Sequence, residues 1–539
     1  MPYKNLHEFV AALESAGQLV RISAEVDTRL ELAEIAARVM RQLSPEGLDG
    51  APASDPLNGR FGGKALLFEN VRGHDMPVLI NAFGSYKRMY MALGCLDFDE
   101  LAGRVNALVQ PQVPQGIFAK LKMLPGLAHL ASLVPNIKGG LAKGATAKPS
   151  FGAAVPNTSN KDRWQTTKNS APCQELIQTG DQIDVTRLPV IQCWPDDGKG
   201  HPAGETAGRY ITLGCTITKH PQTQARNVGI YRVQLLGPKR AAMHIHPPHD
   251  GAVNWRAWKD QGKAMPAAIV FGGEPSITYA ASAPCPPGLD ELMLAGFLQD
   301  KPIELVPCLT QPLEVPAQAE LVIEGEVSAD QKTIEGPFGD HTGFYSAAGE
   351  FPVFRVTAIT RRRDAIYPTT VVGYPPMEDY YMGKATERIF LPALRMLVPK
   401  VLDYDLPLFG AFHNFVFVQI RKEYANQARN VMHAIWGAGQ MAFSKFIVVV
   451  DQDVNVHDPN DVWFAVGANV DPARDIEQFN GPLDILDHAS GKVGSGGKLG
   501  IDATRKLPGE APHRDWPEPL KMADEIRKLV DKRWGEYGL

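Results

Sequence analysis

The start of the chain alternates between helical and strand periodicity. Its apolar positions predict five elements: a helix over 5–16, a strand over 18–26, a helix over 29–43, and buried strands over 65–68 and 78–80. Gly17 ends the first helix, because glycine commonly follows the last helical residue. The second helix carries its apolar side chains on one face: Leu30, Leu32, Ile35, Ala36 and Val39. An α/β unit is therefore predicted here.

Strand periodicity dominates from about residue 171. Short runs of apolar and β-branched residues predict strands over 209–218, 227–236, 241–245, 267–271, 321–324 and 353–359. Turn-forming sequences at 219–224 and 237–239 separate the first three strands. Short antiparallel strands joined by turns indicate a barrel or a sandwich.

Helices and strands alternate again from about residue 367. The predicted elements are a helix over 387–397, a strand over 414–420, a helix over 425–436 and an apolar strand over 446–450. This order is typical of a βαβ unit with a parallel sheet. An amphipathic helix over 520–537 follows an arm with four prolines. Such an arm either docks on a neighbouring subunit or folds back onto its own chain.

These patterns predict an α+β chain of three domains. The N-terminal α/β domain covers 1–170, the β-rich domain 171–366 and the C-terminal α/β domain 367–539. Residues 112–160 differ, because Pro, Gly, Lys and Ala are frequent among scattered apolar residues. Two interpretations remain open for them. They form a helical linker packed on its own domain, or an apolar patch that contacts membrane lipid or a lipid-tailed substrate.

Length, composition and charge narrow the class of protein. The 539 residues exceed the size of one core, and 44% hydrophobic with 21% charged residues is ordinary for a soluble enzyme. A formal charge of −5 without a long basic run argues against nucleic acid as a partner. The first residues have no signal-peptide core, and no apolar run reaches the roughly 20 residues of a membrane span. We therefore expect a cytoplasmic protein.

Missing motifs exclude several chemistries. The six cysteines form no CxxC pair, which argues against a zinc ribbon, a redox pair or a disulfide scaffold. The sequence has no Walker A loop, no GxGxxG after a strand and no GxSxG elbow. Nucleotide hydrolysis, ordinary dinucleotide binding and α/β-hydrolase chemistry are therefore disfavoured.

Two polar motifs carry candidate acid–base residues. Residues 335–343 place Glu335, Asp340 and His341 among three glycines and a proline. Tight turns hold such acids in fixed positions and let a ligand approach the backbone, although a polar surface turn has the same composition. Arg232 interrupts a strand-like run. It suits a bidentate grip on a carboxylate or phosphate if it faces a barrel interior, and otherwise it is an edge residue that faces water.

A third motif, 243–251, carries His244, His246 and His249. An Asn, a His and a carboxylate suit Mn²⁺ or Mg²⁺, and Glu291 could supply the carboxylate. The alternatives are exposed turn histidines and an acid that stabilises the dipole of its helix. Together the three motifs predict acid–base chemistry on an anionic small molecule.

Several motifs, in order, resemble those of the UbiD family of decarboxylases. They lie at 227–232, 335–343, 375–379, 471–475, 481–484 and 500–504. The resemblance extends over nearly the whole chain and implies the fold of that family. It comprises an N-terminal α/β domain, a central split β-barrel that binds the flavin, and a C-terminal α/β domain. A tail helix swapped between subunits is also implied, in a homodimer or homohexamer.

The same resemblance implies the cofactors. Family members use prenylated FMN, made by a partner flavin prenyltransferase. It implies Mn²⁺ or another divalent cation on Asn227, His249 and Glu291, with His244 and His246 as competitors for the histidine position. A K⁺ ion would share Glu291 with backbone around 280–282. The residues implied to contact the flavin are Ile230, Tyr231, Arg232, His244, Ile245, His246, His249, Asp250 and Lys445.

The resemblance maps an acid–base network onto Arg232, Glu335 and Asp340. Arg232 would hold the substrate carboxylate. Asp340, or Glu335 through it, would deliver a proton to the carbon that loses CO₂. A donor has to hold a proton at neutral pH, so burial is expected to raise the pKa of Asp340.

The resemblance leaves several substrates open. It favours 4-hydroxy-3-polyprenylbenzoate, decarboxylated to a 2-polyprenylphenol in ubiquinone biosynthesis, with peripheral contact at the inner membrane. Residues 375–381 are more similar to members of menaquinone biosynthesis, which favours a naphthoate. A reversible, catabolic decarboxylase of a soluble phenolic acid is a further alternative. A flavin- or metal-binding scaffold without catalysis is the alternative outside enzymes.

Overall fold

A computed structural model describes residues 3–109, 132–137, 164–166, 171–247, 249–285, 289–510, 516–517 and 520–538. Its helices are α1 (Leu6–Ser15), α2 (Glu31–Met40), α3 (Tyr86–Leu93), α4 (Phe98–Val109), α5 (Asp250–Lys259), α6 (Pro275–Ala280), α7 (Glu291–Gln299), α8 (Glu378–Leu397), α9 (Gln427–Trp436), α10 (Pro459–Asn469) and α11 (Asp524–Arg533).

The strands run through the whole described chain. They are β1 (Leu19–Ile22), β2 (Ala65–Phe68), β3 (Val78–Ile80), β4 (Asn136–Ile137), β5 (Gln165–Thr166), β6 (Leu176–Thr179), β7 (Tyr210–Ile211), β8 (Cys215–Lys219), β9 (Arg226–Ile230), β10 (Val233–Gly237), β11 (Arg240–Met243), β12 (Met265–Phe271), β13 (Glu304–Pro307), β14 (Glu314–Pro316), β15 (Leu321–Glu335), β16 (Phe338–Gly339), β17 (Tyr345–Ser346), β18 (Gly349–Arg361), β19 (Tyr367–Thr369), β20 (Val401–Asp405), β21 (Phe415–Ile420), β22 (Phe446–Asp451), β23 (Ile476–Pro482) and β24 (Ser495–Asp502).

The N-terminal sheet has the strand order β1–β2–β3–β19. Its last strand comes from residues 367–369, which return after the central domain and pair parallel to β3. The α1 helix begins at Asn5, whose side chain accepts the Glu8 N–H at 2.9 Å, and ends before Gly17, whose φ is 69°.

The α2 helix buries a face that overlaps the predicted one. Its buried side chains are Leu32, Ala33, Ala36, Ala37 and Met40. The predicted Ile35 and Val39 are only half-buried, and Leu30 precedes the helix. The small alanines let the helix lie close to its neighbours, so the helix turns its alanine-rich side inward.

A curled antiparallel sheet forms the central domain. Its strand order is β7–β10–β11–β18–β15–β12–β8–β9, with β6 on β18 and β5 on β6. This half-barrel confirms the split barrel that the family resemblance implied. The predicted strand over 209–218 is two strands, β7 and β8. The break lies over residues 212–214, where the chain changes partners: β7 pairs with β10, whereas β8 pairs with β9 and β12.

The C-terminal sheet has the order β20–β21–β22–β24–β23. The α9 helix connects β21 to β22, which pair in parallel, as the predicted βαβ unit requires. The tail helix α11 is shorter than the predicted 520–537 and has no buried residue.

Most of the 112–160 segment lies outside the described residues. The two interpretations of this segment, a helical linker and an apolar patch, therefore concern residues that the structure does not describe. Within its described part, Leu133 is buried and Val134 is exposed. None of the described helices has the length and apolar character of a membrane span.

A buried ionic cluster joins α8 to the C-terminal sheet. The Lys384 ammonium lies 2.7 Å from a carboxylate oxygen of Glu387 and 2.6 Å from one of Asp405. His457 Nδ1 lies 3.0 Å from the same Asp405 oxygen. Glu387, Asp405 and His457 have the donor types of a metal site, but the lysine already supplies their positive charge.

Lys384→Met is expected to destabilise the protein by about 3–5 kcal/mol, because it leaves buried carboxylates without their cation. The urea midpoint of unfolding measures this loss. Lys400→Met is the matched control, since Lys400 pairs with Glu423 at the surface and both side chains are 45% exposed. That variant should change stability by less than about 1 kcal/mol. Equal midpoints for the two variants would contradict the prediction.

Candidate active site

A cavity of about 230 Å³ is lined by residues of the half-barrel and of the C-terminal domain. Its lining residues are Thr212, Ile230, Tyr231, Arg232, His244, His246, His249, Phe338, Asp340, His341, Val372 and Leu486. One wall carries charged and imidazole groups. Apolar side chains form the rest of the lining, so a ligand with a polar end and an apolar body fits the cavity.

Strand ends position the charged wall. Arg232 stands between β9 and β10, Glu335 is the last residue of β15, and Asp340 follows β16. The connection between β15 and β16 is only Gly336 and Pro337, so Glu335 and Asp340 stay close to each other. Glu335 and Asp340 are therefore part of a buried wall, which excludes the surface-turn alternative for these two acids.

Arg232 binds both acids. Its Nε and Nη2 donate to the two oxygens of Glu335 at 2.8 and 3.0 Å, and its Nη1 donates to Asp340 Oδ2 at 2.6 Å. Its guanidinium also lies 4.7 Å from the ring centre of Phe338. Arg232 thus faces the interior, and this bidentate geometry is the strongest that an arginine makes with a carboxylate.

The two acids are held in the ionised form. Burial raises the pKa of Glu335, but the charge of Arg232 and a hydrogen bond to His244 outweigh it and lower that pKa. Burial also raises the pKa of Asp340, but His341 and Arg232 lower it well below its usual range. The expectation that burial would leave the pKa of Asp340 raised is therefore wrong in this state, because the combined effects of His341 and Arg232 outweigh that of burial.

The histidine motif forms one edge of the cavity. His244 Nδ1 lies 2.6 Å from Glu335 Oε2, and His244 Nε2 lies 2.6 Å from His246 Nε2. Phe351 stacks on the His244 ring at 3.9 Å. Burial lowers the pKa of His244, His246 and His249, so all three rings are neutral near pH 7. Neutral imidazoles are able to bind a metal or accept a hydrogen bond.

A second histidine pair lies behind Asp340. His341 Nδ1 lies 2.9 Å from Asp340 Oδ1, and His341 Nε2 lies 2.7 Å from His413 Nε2. Phe412 stacks on the His341 ring with 5.5 Å between ring centres. No sequence pattern pointed to His413, which comes from the C-terminal domain 72 residues further along the chain.

The predicted metal residues gather around Tyr231. Its hydroxyl accepts the Asn227 side-chain N–H at 3.2 Å and the Gly251 N–H at 3.1 Å, two residues after His249. Glu291 Oε2 accepts the N–H of Val228, the neighbour of Asn227, at 2.9 Å.

The donor set formed by Asn227, His249 and Glu291 fits a hard divalent cation. Glu291 is buried and has no lysine or arginine within ion-pair distance among the described residues. Burial raises its pKa to about 7, as expected for a carboxylate that lacks a cation. An amide, a neutral imidazole and this carboxylate suit Mn²⁺ or Mg²⁺.

Three predicted flavin contacts do not line the cavity. Ile245 packs in the apolar core, Asp250 begins α5 at the surface, and Lys445 Nζ pairs with Asp487 Oδ2 at 2.5 Å. Their roles stay predictions. Four lining residues were missed by the sequence analysis: Thr212, Phe338, Val372 and Leu486. Of these four residues, Phe338 was the easiest to predict, because it lies inside the motif 335–343.

Profiles of known families match most of the chain. They are the N-terminal domain of 3-octaprenyl-4-hydroxybenzoate carboxy-lyase over residues 10–105, its Rift-related domain over 165–375 and its C-terminal domain over 380–503. An uncharacterised protein of Aquifex aeolicus is 41% identical over 538 residues, which cover 100% of this chain and 99% of that protein.

Solved structures of similar fold cover the whole chain as well. The UbiD-class enzyme HmfF from Pelotomaculum thermopropionicum, in complex with FMN, has a TM-score of 0.70 and 27% identity, with 98% of this chain and 99% of that chain covered. An evolved dimeric form of it was solved in complex with prFMN. The vanillic acid decarboxylase of Sedimentibacter hydroxybenzoicus, in closed form, has a TM-score of 0.77 and 24% identity, with 100% and 99% covered.

Proposed function

The chain belongs to the UbiD family of aromatic-acid carboxy-lyases, and from this premise we propose that it decarboxylates 4-hydroxy-3-polyprenylbenzoate with prenylated FMN. The product would be a 2-polyprenylphenol for ubiquinone biosynthesis. The observation that carries the proposal is the meeting of Arg232, Glu335 and Asp340 in the wall of one cavity. An arginine that already binds two carboxylates also binds a third on the substrate, next to an acid that exchanges a proton.

The protein groups have separate roles in this proposal. Arg232 binds the substrate carboxylate, and Glu335 with His244 holds the guanidinium in place. Asp340 delivers a proton to the ring carbon that loses CO₂. Phe338 and other apolar lining residues exclude water from the wall, which strengthens each charge interaction. When bound, prenylated FMN supplies an electron sink for that carbon.

The cofactor site follows from the same cavity. Ile230, Tyr231 and the three histidines offer flat apolar and imidazole surfaces to a flavin ring. The complex of HmfF with prFMN supports the choice of this flavin, which a flavin prenyltransferase would supply. We propose that Asn227, His249 and Glu291 hold Mn²⁺ or another divalent cation at the flavin phosphate. A K⁺ ion would lie near the Ala281 carbonyl, which accepts the Ile230 N–H at 3.2 Å.

Glu291→Gln is expected to weaken Mn²⁺ binding at least about tenfold, because it removes the only anionic ligand of the proposed set. Calorimetric titration with Mn²⁺ in the presence of FMN measures the change. Glu274→Gln is the matched control. Glu274 is also a buried acid at the start of a helix, and burial likewise raises its pKa to about 7. Equal Mn²⁺ affinity of the two variants would refute the assignment of Glu291.

The substrate is the least constrained part of the proposal. Apolar lining by Phe338, Val372 and Leu486 favours a ring with an apolar substituent. The likeness to a vanillic acid decarboxylase keeps a tail-free phenolic acid, decarboxylated reversibly, as the second candidate.

The test is coexpression with a flavin prenyltransferase, followed by CO₂ release from polyprenylated hydroxybenzoates, naphthoates and simple phenolic acids. We expect the highest kcat/KM for a prenylated benzoate. Preference for a naphthoate or a simple phenolic acid would overturn the polyprenylated substrate, but the assignment as a decarboxylase would stand. CO₂ release from none of them would overturn the proposed function as a whole.

We further propose a homo-oligomer that forms through α11. This helix has no buried residue, and Ile526, Leu529 and Trp534 are exposed on or just after it. An exposed apolar helix face is typical of a subunit contact. We propose a cytoplasmic location with peripheral contact at the inner membrane, because a polyprenylated substrate carries a lipid tail.

A further inference from the structure

Each decarboxylation consumes one proton. The bond from the ring carbon to the carboxylate breaks, CO₂ leaves, and the electron pair of that bond ends in a new C–H bond. If Asp340 gives this proton, it has to be protonated again before the next turnover. Asp340 is almost fully buried except where it lines the cavity, so while substrate fills the cavity its proton has to come from a neighbouring group.

On the basis of the proposed function, we propose that His341, held in place by His413, stores a proton and relays it to Asp340. The three side chains make a continuous chain of hydrogen bonds. His341 Nδ1 lies 2.9 Å from Asp340 Oδ1, and its Nε2 lies 2.7 Å from His413 Nε2. The far nitrogen, His413 Nδ1, is buried and has no hydrogen-bond partner within the described part of the chain. The chain of hydrogen bonds therefore ends at His413, and solvent reaches the three residues from the cavity that Asp340 and His341 line.

The charges around the pair favour a proton on His341. Three nearby carboxylates raise the pKa of His341: those of Asp340, Asp379 of α8 and Asp484 after β23. Arg232 affects His341 indirectly, because it lowers the pKa of Asp340. Burial lowers the pKa of His341, but Asp340 and the other acids outweigh it and raise it to about 9.

The two histidines therefore differ in protonation. Burial and the His341 charge lower the pKa of His413 to about 4, although Asp484, Asp340 and Asp487 act in the opposite direction. His341 thus stores the proton and His413 is neutral, so that His413 Nε2 accepts the hydrogen bond from His341. This is the arrangement that a directional relay requires, because the stored proton lies next to Asp340.

Substrate binding triggers the transfer. A carboxylate on Arg232 adds a negative charge beside Asp340, and like charges raise the proton affinity of a carboxylate. The proton on His341 Nδ1 then moves to Asp340 Oδ1, and Asp340 passes it to the ring carbon. His341 becomes neutral and keeps its Nε2 proton; after the product leaves the cavity that Asp340 and His341 line, the pair takes up one proton from solvent, so that one proton is consumed for each CO₂ released.

His341→Gln tests the relay, because the amide keeps a hydrogen bond to Asp340 but cannot release a proton. We expect kcat to fall about 100-fold, with KM changed less than about threefold. Added imidazole should restore part of the lost rate. Wild-type activity should fall as pH rises through about 9, where His341 loses its proton, and this limb should be absent from the variant.

His413→Gln is expected to give a smaller loss, and the double variant no more than His341→Gln alone, since residues that act as a unit are not additive. His433→Gln is the matched control in the same domain, because His433 is 54% exposed and pairs with Glu477 away from the cavity. It should behave like the wild type. Losses that add in the double variant would overturn the relay.

A measurement without cofactor separates this proposal from the proposed function. Nuclear magnetic resonance of ¹⁵N-histidine in the cofactor-free protein should show one buried imidazole that titrates near pH 9, absent from His341→Gln. A neutral His341 below pH 8, or a wild-type kcat in His341→Gln, would overturn the relay. No CO₂ release by the wild type, with this titration present, would overturn the proposed function instead.

Discussion

Asp340→Asn is expected to lower the rate of decarboxylation by about 1,000-fold while FMN still binds. The amide has the shape of the carboxylate and still accepts the Arg232 N–H through its oxygen. It cannot store or release a proton, and loss of a general acid costs about 10²–10⁴-fold in rate. Because the cavity keeps its shape, binding of flavin and substrate should change little.

Single-turnover assays of CO₂ release, together with FMN titration by fluorescence, distinguish chemistry from binding in Asp340→Asn. Asp453→Asn is a control, since Asp453 pairs with Arg505 at the surface. Normal turnover in Asp340→Asn would remove Asp340 from the proton path. Turnover lost together with FMN binding would assign it a structural role instead.

Arg232→Ala is expected to lower kcat/KM for decarboxylation by about 1,000-fold or more. Removal of one preorganised hydrogen-bond donor at a reacting group lowers kcat by about 10²–10³-fold, and Arg232 supplies a positive charge as well. The substitution also removes the cation that Glu335 and Asp340 share, so the pKa of both acids should rise, although His341 still lies beside Asp340. Arg232→Lys keeps the charge but loses the bidentate geometry, and we expect it to restore only part of the rate.

A matched arginine separates lost stability from lost catalysis. Arg388 is 11% exposed, compared with 10% for Arg232, and it also pairs with two carboxylates, Asp99 and Asp403. Arg388→Ala should destabilise the protein without changing kcat per folded molecule. Thermal unfolding and kcat/KM are measured on both variants. If the two lose activity equally, the loss comes from unfolding and Arg232 has no special role.

Strong periodicity predicted the local elements, and weak periodicity did not. The apolar strand at 446–450 and the helix at 425–436 correspond to β22 and α9 within one or two residues. The α8 helix begins at Glu378, nine residues before the predicted start at 387. Its first turns bury charged and tyrosine side chains, so no apolar stripe marks them. The pairing of 367–369 with the N-terminal sheet also left no local signal.

By itself, the sequence determined which chemical groups the site contains. Motif order indicated Arg232, Glu335 and Asp340, and the helix and strand patterns indicated the three-part architecture. The tertiary structure alone decided which of these groups are charged and which neighbours they have. A pKa depends on distances of a few ångströms between charges, such as the 2.9 Å between His341 and Asp340, and no local pattern specifies such distances. His413 reaches His341 only because the C-terminal domain folds against the half-barrel, so no local pattern in the sequence indicates this contact.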